Sequence, residues 1–387
     1  MKILWLCKWF GNYRIPVYEH LNKLSGGNFY MAYNKEAVSE LVHKKMEQTL
    51  GENAIGLEKE KHLIIGNKDS DMANGYIDFA WQPDLLKAIK NVNPDIIISD
   101  GFYQWTYAAI LKSFRRKLCI FYERTAFVER NAPGWRKTYR KIMGKFADGF
   151  LINGSLTREY LGELGFSNRP MVEGCMVADC EGLSMAVNNC EENEITALAE
   201  SIGIIKGKGL VFLFVGQLVQ RKGIKELLSV WGRHVKEFPD DSIIVAGQGI
   251  MESELKEKFS KVPGIKFVGQ INYDAIHRYY ALADVSVMPT LEDNWSLVVP
   301  EAMACGKPVA TTPYNGCHVE LIEEGCNGHL FDPLSEQSIL DMLKAFHYDN
   351  LESLGRRSRE IIKNYTPSEA ANNIYNLCQK LTSKGAM

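Results

Sequence analysis

The chain has 387 residues, more than one hydrophobic core ordinarily serves, and its 46% hydrophobic content can fill two. A formal net charge of −2 excludes a generally basic nucleic-acid binder, so any attraction to an anionic partner must come from a local patch. The nine cysteines are scattered, odd in number and without a CxxC pair, which suits a reducing compartment better than a disulfide framework or a structural zinc site.

The apolar core of MKILWLCKWF is five residues long before Lys8, too short for a signal segment, and no later stretch reaches the length of a membrane span. A cytoplasmic protein, at most peripheral to a membrane, is expected. Residues 2–7 read as a buried strand, followed by a loop holding Gly11 and a helix over 14–24. That order suits a phosphate cradle and equally an ordinary βα turn. Strands near 29–32, 62–65, 95–99 and 118–122 then alternate with helices near 35–48, 84–92 and 104–114, which predicts a parallel sheet wrapped by helices. Asp69-Ser70-Asp71 spells D-x-D, a carboxylate pair that can hold a divalent cation, but its neighbours have loop composition and it reads as a solvated loop. Glu123 follows the strand at 118–122, at the end where a parallel sheet presents functional side chains.

Residues 130–147 contain Arg130, Arg136, Lys137, Arg140, Lys141 and Lys145 and no acid. Trp135, Tyr139, Ile142 and Phe146 recur at helical spacing, with Lys137, Lys141 and Lys145 in a row on another face. Such a helix can lie on an anionic leaflet, or bury its aromatic stripe and solvate its charges. Strands at 148–153 and 170–173 close the first domain. The pattern then gives way to acidic and Asn-containing segments, which place a linker at 178–185 and a helix around 192–201. The expected division is 1–180, 181–365 and a final helical segment at 366–387.

The second domain opens with a strand at 209–215, then GQLVQRKG from Gly216 to Gly223, then a helix at 224–237. Arg221 and Lys222 at this βα turn can neutralise a diphosphate, or can be a solvated pair beside a helix. Strands at 242–246 and 265–268 end in Gly247-Gln248-Gly249 and Gly269-Gln270-Ile271, glycines that let backbone approach a ligand. Residues 283–313, ADVSVMPTLEDNWSLVVPEAMACGKPVATTP, organise the rest. A strand stopped by Pro289 leads through a polar loop into a helix at 297–304, with Pro300 in its first turn and Gly306 after it. Asp293 and Glu301 flank Asn294, Trp295 and the backbone N–H groups of Ser296, Leu297 and Val298. Amides hold phosphate oxygens and carboxylates accept from sugar hydroxyls, so a diphosphate between two polyols satisfies the whole set. An N-cap with first-turn acids is the plainer alternative. Residues 328–331, 335–347 and 351–364 read as a strand and two helices, and Thr366-Pro367 starts the last helix.

The E-x7-E spacing and its continuation EAMACGKPV resemble the signature of retaining GT-B glycosyltransferases, specifically glycosyltransferase family 4. Asp293 stands where that family has its first glutamate, and Ser296 where it often has glycine. GQLVQRKG is similar to the family's G-R-x-x-x-x-K-G element, with Gln217 in place of arginine. The resemblance is dense over 209–333 and diffuse before it. It implies an α/β fold of two Rossmann-like doubly wound parallel-sheet domains facing a central cleft, the C-terminal helix crossing back to the first. It further implies transfer, with retention, of a hexosyl or N-acetylhexosaminyl unit from a nucleotide-sugar donor, most readily UDP-linked. The acceptor would be a saccharide or lipid-linked saccharide, as in bacterial surface polysaccharide or O-antigen assembly, with no metal and no cofactor besides the nucleotide-sugar substrate.

The same resemblance assigns roles. Lys222, Arg221 and the amides of Ser296, Leu297 and Val298 would stabilise the departing diphosphate; Asp293, or Glu292 beside it, would orient the sugar with Asn294 and Trp295. Glu301 would hold ribose hydroxyls, Gly216 and Gln217 would form the donor loop, and Gln270 and Ile271 would line the base. Gly11 would face the diphosphate and acceptor. Glu123 would take the place of a histidine that many members set against the donor sugar, or join a surface ion network with Arg130. The departures at Asp293 and Gln217 leave a non-catalytic nucleotide-sugar-binding partner as the rival. A dinucleotide-dependent oxidoreductase is disfavoured, since no G-x-G-x-x-G follows the first strand.

Overall fold

The computed structural model describes residues 1–66, 76–113 and 116–383, so the Asp69-Ser70-Asp71 triplet lies outside the described residues. The chain divides into two compact units: Met1–Val177 together with the segment from Tyr365, and Ala178–Asn364.

In the first unit, β1 (Ile3–Cys7), β2 (Phe29–Asn34), β3 (Ala54–Leu57), β6 (Ile96–Asp100), β7 (Lys117–Tyr122), β8 (Gly149–Ile152) and β9 (Met171–Val172) form a parallel sheet in the order β3-β2-β1-β6-β7-β8-β9. All five side chains of β1 are buried, as expected of a parallel strand covered on both faces. The cover comes from α1 (Ile15–Leu24), α2 (Glu40–Leu50), α3 (Leu85–Val92), α4 (Thr106–Lys112), α5 (Gly134–Gly144), α6 (Ser155–Glu163) and the last helix, α16 (Pro367–Ser383). Helix α16 packs on α1 and on β7, β8 and β9, so the C-terminal segment belongs to the first unit.

One strand does not join the parallel sheet as expected. The apolar run near 62–65 is β4 (Lys61–Gly66), which pairs antiparallel with β5 (Tyr76–Trp81) in a separate two-stranded ribbon. Every side chain of β4 is exposed, because a two-stranded ribbon has no second layer on which to bury both faces.

The second unit holds a six-stranded parallel sheet in the order β12-β11-β10-β13-β14-β15, made of β10 (Val211–Val215), β11 (Ser242–Ala246), β12 (Ile265–Gly269), β13 (Val285–Val287), β14 (Val309–Thr311) and β15 (Gly328–Leu330). Around it lie α7 (Cys180–Asn188), α8 (Glu192–Ser201), α9 (Ile224–Glu237), α10 (Glu252–Phe259), α11 (Ile276–Leu282), α12 (Val298–Ala304), α13 (His318–Leu321), α14 (Glu336–Ala345) and α15 (Leu351–Ile362). Its core centres on Phe212, Trp231, Val285 and Leu343, all without solvent exposure. The stretch expected as a linker, 178–185, is instead largely helix α7, which packs on α11 and α12. The Asp179 side chain caps it by accepting from Gly182 N–H at 3.1 Å. Among the described residues no helix is long and apolar enough to cross a membrane.

Candidate functional site

The carboxyl ends of β10, β11 and β12 open onto a cleft of about 510 Å³. Gly216 and Gln217 after β10, Gln270 and Ile271 after β12, and Glu301 on α12 all line it, so five of the residues singled out in the sequence share one cavity. Backbone proximity makes this possible. Gly247 has φ near +150°, and a Cβ there would lie 1.8 Å from Gly216 O, so only glycine lets the two strand ends close. Gln248 and Tyr273 also line the cleft. Sequence reasoning assigned neither, although Gln248 sits inside the Gly-Gln-Gly turn and Tyr273 follows Gln270 within one short loop.

Glu301 is buried, and the Tyr280 hydroxyl donates to its Oε2 at 3.3 Å. Burial pushes its carboxyl up to about 7; the Tyr280 hydrogen bond pulls it back a little and the charge of Asp179 adds to the rise. Nothing in the sequence around Glu301 signals Tyr280, which arrives from α11.

Val219 lines the cleft wall and caps the short 3-10 turn Gln220–Lys222. Gly223 ends this turn with φ +67°, and a Cβ on it would lie 1.7 Å from Pro289 O. The turn is therefore pressed against the loop after β13, where Leu291 N–H donates to Arg221 O at 2.8 Å. Gly223→Ala should destabilise the fold by about 1–3 kcal/mol and prise the turn off that loop, read as a lower melting midpoint. An unchanged midpoint would show that the turn has room to spare.

At this junction the Lys222 ammonium is paired with the Asp293 carboxylate, and Arg221 Nη1 lies 3.8 Å from the same oxygen. Burial would raise the Asp293 carboxyl, but the charges of Lys222 and Arg221 outweigh it and hold the group below the ordinary carboxylate value. The phosphate cation and the sugar-binding acid expected from sequence are thus each other's partner here. Glu292 and Trp295 are buried beside them.

Asn294 follows in the same loop, half-buried, and leads into the start of α12. The amide of Ser296, expected to be free, donates to the buried Asn315 Oδ1 at 3.2 Å. Asn315 is fixed in turn by its own bond to Thr311 Oγ1 at 3.1 Å. Leu297 is the N-cap of α12, which starts at Val298, one residue later than expected.

The remaining two candidates, Gly11 and Glu123, belong to the first unit. Gly11 precedes a 3-10 turn, Asn12–Arg14, where a Cβ would press to 2.5 Å on the Tyr13 ring. Arg14 is anchored inside, donating to Asp100 Oδ2 at 2.7 Å at the carboxyl end of β6. Burial pushes the Tyr13 hydroxyl up to about 12, with Arg14 pulling it back and the charge of Glu123 adding to it. The backbone oxygen of Glu123 accepts from Thr157 Oγ1 at 3.3 Å.

Among the described residues one group has convergent metal-type donors: His234, Asp241 and His347. It lies at the amino ends of the strands, away from the cleft. Both imidazoles bond Asp241 Oδ2, at 2.7 and 2.8 Å, and Leu210 N–H bonds Oδ1 at 2.8 Å, so hydrogen bonding accounts for it.

Residues 209–348 match the sequence family described as Glycosyl transferases group 1. An uncharacterised glycosyltransferase of Methanocaldococcus jannaschii is 32% identical over 143 residues, 36% of either chain. Sulfoquinovosyl transferase SQD2 of Arabidopsis thaliana is 30% identical over 162 residues, 41% of this chain and 32% of its own. D-inositol 3-phosphate glycosyltransferase of Corynebacterium urealyticum is 28% identical over 204 residues, 50% and 45% respectively. The matches thus span less than half the length of these relatives. Solved structures extend the likeness to nearly the whole chain. Anabaena Alr3699/HepE in complex with UDP aligns over 98% of this chain and 100% of its own, with TM-score 0.76 and 16% identity. Sucrose-phosphate synthase of Thermosynechococcus elongatus does so over 99% and 100%, with TM-score 0.73 and 16% identity. The chain has the GT-B fold of these structures, and the part of it that holds the cleft is similar to Glycosyl transferases group 1.

Proposed function

We propose that this chain is a retaining, metal-independent glycosyltransferase of family 4 type, moving a hexosyl or N-acetylhexosaminyl unit from a UDP-linked donor to a saccharide or lipid-linked saccharide. The observation that carries this reading is the cleft at the strand ends, where Gly216, Gln217, Gln270, Ile271 and Glu301 converge beside the Lys222–Asp293 pair. A base fits against Gln270 and Ile271, and ribose hydroxyls donate to Glu301. The diphosphate then reaches Arg221 and Lys222. A phosphate that takes Lys222 releases Asp293, whose freed carboxylate becomes an acceptor for a donor-sugar hydroxyl, so one exchange prepares both contacts. In the transfer step the two cations stabilise the charge that develops on the leaving diphosphate. Binding of UDP and UDP-glucose by Anabaena Alr3699/HepE supports the choice of nucleotide.

The reading extends to cytoplasmic assembly of surface polysaccharide or O-antigen, with peripheral membrane contact through residues 130–147. The rival, a partner that binds nucleotide-sugars without catalysis, draws on aspartate in place of glutamate at 293 and on Gln217 in place of arginine. Thermal shift with UDP and a panel of nucleotide-sugars tests binding: at a hundred times its Kd a ligand adds about 2.7 kcal/mol, a shift of several degrees. UDP release with a saccharide acceptor then separates transfer from mere binding. A midpoint indifferent to every nucleotide would sink both readings.

A further inference from the structure

Helix α5 turns part of its charge inward. Arg140 is buried with its guanidinium 2.6 Å from Glu129 Oε2, Arg124 holds the other oxygen of Glu129 at 2.9 Å, and Arg136 is buried on the same side one turn earlier. Glu129 is itself buried and supplies the negative charge that makes this tolerable. With that side committed to the interior, the opposite side carries what remains. Trp135, Ile142 and, just past the helix end, Phe146 fall in one stripe, and they are 47%, 53% and 51% exposed. Lys141 and Lys145 are exposed along the edge of that stripe, with Lys137 one turn before them beside Glu163 at 3.2 Å. The aromatic stripe is thus only half covered, with Trp135 and Phe146 partly outside and Tyr139 half-buried.

The patch continues beyond the helix. Tyr139 stacks on Tyr103 with centroids 4.8 Å apart, and Tyr103 meets Phe79 of β5 at 5.8 Å. Phe79 stands opposite Leu63 in the ribbon register, and directly opposed residues of an antiparallel pair project from one face. Leu63 and Ile65 are exposed on that face, and Trp81, also exposed, stacks on Tyr107 at 5.3 Å. Scattered exposed apolar residues need no explanation, but a joined shelf of aliphatic and aromatic groups edged with lysine does.

Its composition selects the occupant. Rings with an apolar body sit at a boundary between oil and water, lysines reach past it to anionic groups, and residues 130–147 contain no Asp or Glu to oppose them. A second copy of this chain would bring the same lysines face to face. We infer that α5 and the β4–β5 ribbon together dock on an anionic phospholipid surface, with Trp135, Ile142, Phe146, Leu63 and Ile65 entering the headgroup layer. This deepens the reading of a transferase serving a lipid-linked acceptor, and rests on it.

The test is co-sedimentation of the full chain with vesicles of equal parts phosphatidylglycerol and phosphatidylcholine, against phosphatidylcholine alone. The parent chain should favour the anionic vesicles. Trp135→Ser/Ile142→Ser/Phe146→Ser should lower partitioning by about tenfold or more, and Leu63→Ser/Ile65→Ser should lower it severalfold. Lys141→Gln/Lys145→Gln should cost about fivefold per lysine on anionic vesicles only. All these positions are exposed, so melting and the UDP-induced shift should stay as in the parent. Undiminished partitioning of the triple variant, failure of the parent to sediment, or loss of a dimer in place of loss of lipid binding would each overturn the docking surface. A parent that sediments but ignores UDP would count against the donor reading instead, so the two failures are told apart.

Discussion

Lys222→Ala should lower the rate of the proposed sugar transfer by about a hundredfold while leaving the fold intact, the scale that follows when one preorganised charge contact to a developing anion is removed. The substitution acts twice. It removes a cation from the leaving diphosphate, and it strips Asp293 of its partner, leaving Arg221 3.8 Å away. Its carboxyl then rises from the depressed position that Lys222 helped to set, with Arg221 and the Trp295 N–H still drawing it down, and the carboxylate loses the ammonium that held it in place. Lys222→Arg restores the charge and should recover part of the rate. Single-turnover transfer measured beside a melting scan is the check. Near-normal turnover in Lys222→Ala, with the nucleotide shift preserved, would remove this residue from the reaction.

The second large effect is a pH dependence centred on Glu301. Burial lifts its carboxyl to about 7 in the folded chain, whereas an unfolded glutamate titrates near about 4.3. Between those values the folded state holds one proton more than the unfolded state. Stability from this group is therefore present in full at low pH, declines as pH rises through the window, and is gone above about 7, a loss of roughly 4 kcal/mol. Glu301→Gln stays neutral throughout, so its melting midpoint should be flatter over this range and higher than the parent's in mildly alkaline buffer. Donor affinity should move the opposite way. A ribose hydroxyl donates best to an ionised carboxylate, so UDP binding should tighten by up to about tenfold per pH unit below 7 and level off above it. Proton release on binding would appear as a buffer-dependent calorimetric enthalpy. A parent chain whose UDP affinity ignores pH, together with a Glu301→Gln variant that binds equally well, would take Glu301 out of the donor site.

The β-branched and aliphatic runs made the two parallel sheets legible, because strands buried on both faces show as uninterrupted apolar stretches. Helix α9 and strand β11 match their expected bounds to the residue. The ribbon escaped for the converse reason: residues 62–65 read as one more strand of the parallel sheet, yet their position in a two-stranded layer leaves them exposed. Helix α7 was masked by its acidic and Asn-containing surroundings, although Asp179 three residues before Gly182 was a usable cap signal. The candidate cleft was visible to the extent that it depends on strand ends, where Gly216 and Gln270 follow directly. Contacts made over long separations were not visible. Lys222 meets Asp293 across 71 residues, Ser296 meets Asn315 across 19, and Tyr280 reaches Glu301 from another helix. A spacing pattern records which groups a site contains, but not which of them neutralise one another before a ligand arrives.

The path of the chain through α16 bears on how the protein is made. Strand β8 keeps a glycine, Gly149, under this helix, where an added Cβ would come within 3.1 Å of Leu381. On the ribosome that seat is finished early, but its occupant emerges only after residues 178–364 have been translated. At elongation rates of roughly 5–20 residues per second the nascent first unit waits roughly ten to forty seconds with this apolar seat uncovered, while the second unit becomes complete enough to collapse on its own core. Sealing of the N-terminal sheet thus waits on translation of residues 367–383, and a chain that terminates within the second unit leaves an unsealed body for chaperones and proteases to find.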